Sequence, residues 1–248
     1  MTRSRNSKWH ACSKAPLVAL ALALAACSAP PDSERAAIEA SILSTSGQEE
    51  LWRTILEEYP DDFAALVSEI ETIDPQQRSD EAVVEQVGAR WLQTFFERVA
   101  PDAVRAPSGQ LLAWSKAEHA LYKSLQSAAT PQCAQLTMGE WITIDPDNLE
   151  ATSAIARRNA AMVRAASAGR QMPSDYADPN EQDLQQFGNA IAATGLAPPL
   201  QAALGSTEQM EALTATQQCA IGVAVFEALT ALPDEDEPVM AAYMLAPE

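Results

Sequence analysis

The chain has 248 residues, with 34 Asp and Glu against 16 Lys and Arg and a formal net charge of −18 at pH 7. That charge repels phosphate polyanions and anionic lipid headgroups, which argues against nucleic acid and favours a basic protein or peptide as partner. Gly is scarce, and neither a P-loop nor a Gly-x-Gly-x-x-Gly segment occurs, so the signatures that cradle phosphates are missing.

The first residues carry Arg3, Arg5, Lys8 and Lys14 with no acid, then an apolar run from Pro16 to Ala26. The run suits the apolar part of an export signal and is too short for a hydrocarbon core of about 30 Å. It ends in Leu24-Ala25-Ala26-Cys27, which resembles the lipobox of bacterial lipoproteins: small residues ahead of a cysteine. The resemblance covers the export segment alone. It implies a signal peptide over 1–26 that is removed, acylation (palmitate among the chains) of Cys27, and a lipidated tether over 27–33. Several acyl chains give stable anchoring where one is marginal. With Ser28 after the cysteine, where Asp would signal retention, the family pattern implies the outer membrane, facing the periplasm. Without the four leading cations, 12 basic groups face 34 acidic ones, a net charge near −22.

From residue 34 to 248 the pattern is helical almost throughout, rich in Ala, Leu, Gln and Glu and poor in β-branched alternation. Helices are expected near 34–45, 48–59, 61–73, 80–99, 109–128, 147–168, 181–194 and 207–231, with a short one near 236–245. Asp61 and Asp62 follow Pro60 as an acidic helix start. Asp74-Pro75, Asp145-Pro146 and Asp178-Pro179 each set a capping Asp before a Pro at the first helical position, with Gln77 and Glu181 where a capping box wants them. Asp80 offers a start competing with Asp74, and Ser206 opens the helix near 207.

In the fourth helix Val84, Val87, Trp91, Phe95 and Val99 form one apolar face; in the fifth, Trp114, Ala117, Leu121, Leu125 and Ala128 do so. The eighth is different. From Cys219 to Leu232 its only charge is Glu227, so it reads as a helix buried on every side. Gln217, Gln218 and Pro233 bound it too tightly for a membrane span. Residues 141–144 read as an extended connector, 169–182 as the longest and most mobile loop, and 233–238 as an acidic turn. The expected fold is all-α: a single helical-bundle-like domain of about eight helices with a central apolar C-terminal helix.

Catalytic signatures are missing. Once His10 leaves with the signal, His119 is the one histidine, too few for a zinc cage or a di-iron site. It reads as a half-buried residue partnered by Glu118 or solvent. There is no Gly-x-Ser-x-Gly elbow, and no Ser-x-x-Lys pair beyond the signal. Asp145 to Glu150 begins like a calcium loop but puts Leu149 at the third ligand and Ala156 at the twelfth position, so helix capping explains it better. No catalytic residue, metal or cofactor is assigned.

The segments "TPQCAQL" at 130–136 and "TQQCAIG" at 216–222 share Thr-x-Gln-Cys-Ala, a hint of duplication. Cys133 and Cys219 are not spaced as Cys-x-x-Cys, and two thiols alone do not hold a metal. In an oxidising compartment they form an expected structural disulfide closing a loop of about 87 residues, worth about 4–4.5 kcal/mol on the chain-entropy model. The bond would staple the end of the fifth helix to the eighth. Trp52, Trp91, Phe95, Trp114 and Phe226 fall on apolar faces and belong in the core. Trp141, Tyr176 and Tyr243 lie in connectors or the terminal helix and are candidate partner contacts. The functional expectation is a protein-binding module — inhibitor, immunity protein or envelope accessory — with a helical carrier of a small apolar molecule or peptide, or an enzyme of unrecognised type, as alternatives.

Overall fold

The computed structural model describes residues 31–246 except 141 and 146. Cys27, the export segment and Trp141 lie outside the described residues. The described residues form thirteen helices and no strand: α1 (Pro31–Leu43), α2 (Glu49–Glu58), α3 (Pro60–Glu71), α4 (Pro75–Arg78), α5 (Glu81–Ala103), α6 (Ser108–Ala128), α7 (Thr130–Thr137), α8 (Leu149–Gln171), α9 (Glu181–Ala193), α10 (Pro198–Ala203), α11 (Thr207–Glu211), α12 (Ala215–Thr230) and α13 (Glu237–Leu245). The fold is all-α, as its composition demands.

Two helices share the centre. The first is α12, which buries nine residues, among them Cys219, Ile221, Val225, Phe226 and Leu229. It packs against α6, α7, α9 and α13. The second, α8, was not singled out from sequence. It buries fifteen residues and packs against α2, α5 and α6. Seven of the fifteen are alanines, and with Gly169 they let a neighbour's backbone come close: at Gly169 a Cβ would strike the Asp102 carbonyl oxygen. The common wall is α6, which touches both centres through Trp114, Glu118, Tyr122 and Leu125. Phe226 stacks on Tyr122 at 4.9 Å and meets Trp114 edge-on at 6.1 Å, while Trp91 stacks on Phe95 at 5.1 Å under α2 and α3.

The departures from the expected helices have local causes. Asp74 and Asp80 do not compete; each caps its own helix, α4 and α5, by accepting from the amide two residues on. Pro101 does not stop α5 at once; the helix runs two residues past it, to Ala103. The helix expected over 207–231 breaks in two at Thr214, whose extended backbone and hydroxyl form a capping box with Gln217 for α12. Likewise α8 starts after Asn148, not Asp145, and α9 starts after Asn180, whose capping-box partner is Asp183 rather than Glu181. Helices α7 and α10, which lie outside the expected helices, each open with a Pro in the first turn.

The loop after α8 is fastened, contrary to its expected mobility. The Ser174 amide donates to the Arg105 carbonyl at 2.8 Å, and Asp175 pairs with Arg105 at 3.6 Å. The connector after α7 buries Ile142 and Ile144 completely, at 0 % and 1 % exposure.

Candidate interaction surface

Cys133 and Cys219 are bonded, Cα to Cα 5.1 Å, and both are fully buried. Cys133 sits on α7 rather than at the end of the preceding helix, so the bond ties α7 to α12. The two Thr-x-Gln-Cys-Ala segments thus face each other, and α12 passes so close that a Cβ on Gly222 would collide with the Tyr122 ring and the Thr137 hydroxyl.

Glu118 is not the partner of His119. It is 3 % exposed and accepts from Arg158 Nε at 2.5 Å across the α6–α8 contact, while Arg158 also donates to Asn159 Oδ1 at 2.9 Å. A buried ion pair needs such extra hydrogen bonds to offset desolvation, and it fixes the register of the two helices. The polar character of α8 in sequence comes partly from this pair. His119 itself is half-buried, with Nε2 enclosed and without a hydrogen-bond partner. Burial, then Lys123, pushes its pKa below the ordinary value, against the pull of Glu227. Both effects favour the neutral imidazole.

Tyr176 is turned inward: its hydroxyl donates to the Ala106 carbonyl at 2.9 Å and its ring packs on the core. That contact serves the fold. Tyr243, 51 % exposed on α13, is available to a partner. Among the described residues no three His, Cys, Asp or Glu side chains form a metal-holding group, and no helix is long and apolar enough to cross a membrane. An open cleft of about 390 Å³ lies where α6 meets α7, lined largely by polar groups including Ser127, Thr130, Gln132, Asp145 and Asn148. It offers little to an apolar cargo.

Charge is spread unevenly along the chain, as the sequence shows once it is divided. After Arg170 there is no Lys or Arg, but there are twelve Asp and Glu. Before that point arginines neutralise neighbours: Arg35 with Glu39 and Glu71, Arg78 with Glu34, Arg90 with Glu69, Arg98 with Asp62, Arg164 with Glu50. Beyond it, among the described residues, Asp175 is the one acid in an ion pair. Asp178, Glu181, Glu208, Glu211, Asp234 and Glu235 stand exposed. Unneutralised exposed carboxylates raise the local concentration of cationic partners and speed their encounter.

No family model, curated protein or solved structure matches this chain.

Proposed function

We propose that the chain is a lipid-anchored protein of the bacterial envelope, held through Cys27 at the outer membrane and facing the periplasm, whose helical domain binds a basic protein as inhibitor, immunity protein or assembly accessory. The anchor rests on the lipobox-like Leu24-Ala25-Ala26-Cys27. The binding role rests on one observation, the cation-free stretch after Arg170 with its exposed, unpaired carboxylates. Glu181 and Glu208 sit in the first turns of α9 and α11, where they suit the helix dipole, but Asp178, Glu211, Asp234 and Glu235 take part in no ion pair among the described residues, so a role outside the fold accounts for them. Both halves are testable with the full chain in a bacterial host. Labelled palmitate enters the wild type and not Cys27→Ser. From solubilised envelopes the chain carries one stoichiometric protein of net positive charge, released by about 0.5 M salt, where charges are screened beyond a few Å. Recovery of no stoichiometric protein, or of an acidic one held at high salt, refutes the binding role.

A further inference from the structure

The segment from α9 to α11, residues 181–213, lies on the outside of α12 with only Ile191, Leu196 and Ala203 buried. Its tie to α12 includes a hydrogen bond from Gln218 Nε2 to the Met210 carbonyl at 2.9 Å. Its apolar residues are not arranged at random. Leu184, Phe187 and Ile191 recur at helical spacing along α9, and the stripe emerges from the fold as it runs: Ile191 is 8 % exposed, Phe187 is half-buried, and Leu184 is 48 % exposed. On α10 the half-buried Leu200 is followed one turn later by Leu204 at 38 %. On both segments the apolar side chains thus grow more exposed away from the buried ones.

We infer that α9–α11 is a docking face for an amphipathic helix with basic flanks, which completes the apolar layer begun by Leu184 and Leu204. The charge around the stripe selects that occupant. The segment carries Glu181, Asp183, Glu208 and Glu211 and no cation. A helix that brings leucine-like side chains at three- and four-residue spacing, with lysine or arginine beside them, matches both the stripe and its rim. A second copy of this chain brings the same acids and no cation from this region, so like charges oppose that pairing. The inference rests on the proposed binding of a basic partner and adds where, and to what shape, the surface binds.

The full chain is placed in phosphatidylcholine nanodiscs, with empty discs as the blank. Two labelled 18-residue peptides of identical Lys and Leu composition are titrated in, one with Leu at amphipathic-helix spacing and one scrambled. The patterned peptide is expected to bind 1:1 and at least tenfold more tightly than the scrambled one. Leu184→Asp and Leu204→Asp are each expected to weaken it at least tenfold. Each variant adds a negative charge, so simple attraction of a cationic peptide would instead hold or tighten binding. Both sites are more than one-third exposed, and unchanged Tm confirms folding; Glu211→Lys, also exposed, supplies a milder independent loss. Equal binding of the two peptides, or unchanged affinity in the Leu variants, overturns the docking face while leaving the acidic region as a binder. Binding of neither peptide overturns both readings. Self-association of the wild type that these variants abolish gives the face to a second copy and also overturns the inference.

Discussion

Glu237 opens α13 with its side chain 3 % exposed and its Oε1 without a hydrogen-bond partner. Burial raises its pKa above the ordinary value; Lys116 and Ser115, both on α6, pull it down, and Asp234 in the preceding turn adds to the rise. The sign of the consequence follows from linkage. Below the ordinary carboxyl pKa, folded and unfolded chains both hold the proton and the site imposes no penalty. As pH climbs, the unfolded chain releases its proton first, so stability falls until the folded-state pKa is passed. Glu237→Gln is neutral throughout and escapes that loss. Its Tm is expected to exceed that of the wild type at pH 7 and to match it at pH 4; a gap of the same size at both pH values would show that packing, not the proton, decides. The residue was legible in sequence only as part of an acidic turn. The partner of Glu118 was hidden for a related reason: Arg158 lies 40 residues away, and no local pattern links them.

The glycines of α12 and α9 separate intrinsic helix preference from packing. Gly→Ala inside an exposed helix is favourable by up to about 1 kcal/mol. At Gly188 of α9 an added Cβ meets nothing within 4 Å, so Gly188→Ala is expected to raise Tm by about 2–4 °C. At Gly222 of α12 the same atom meets the Tyr122 ring and the Thr137 hydroxyl. Those belong to separate helices, and Thr137 already donates to the Cys133 carbonyl at 2.9 Å, so neither yields easily. Overpacking typically costs about 1–3 kcal/mol and exceeds the propensity gain. Gly222→Ala is expected to lower Tm by about 2–6 °C, and a rise in thermal melts would show that α6 and α7 can give way. Element by element, what the sequence conveyed depended on how local the cause was. Apolar periodicity announced α5 and α6, and a nearly uncharged apolar run announced α12, because each signal is read within one segment. The break at Thr214 is also local, a Thr-x-x-Gln box just ahead of an apolar run. The central place of α8 was not local at all: it follows from alanines and Gly169 that let other helices approach, and from an arginine satisfied by a distant glutamate.

At the scale of the molecule, α6 joins two sets of helices, one around α8 and one around α12, and the disulfide acts within the second. The bond spans 86 residues and secures α7, a helix of only eight residues that would be marginal alone, to the centre of that set. Its effect is mainly on the unfolded chain, where it closes a long loop at an entropic cost of about 4.5 kcal/mol. Noncovalent packing around it is extensive: Cys133, Leu136, Ile142 and Ile144 from the α7 region are all buried, as are Ile221, Val225 and Phe226 of α12. The fold should therefore survive reduction in a weakened form. For a domain of this size about 4.5 kcal/mol corresponds to a fall in Tm of roughly 10–18 °C. The oxidised chain is expected to show no titratable thiol from Cys133 or Cys219 in denaturant, and the paired change Cys133→Ala with Cys219→Ala to reproduce the Tm of the reduced wild type within a few degrees. A fall below about 2 °C would mean that the unfolded chain is not constrained as the loop length demands. Complete loss of helical signal on reduction would mean instead that α12 cannot hold its neighbours without the bond.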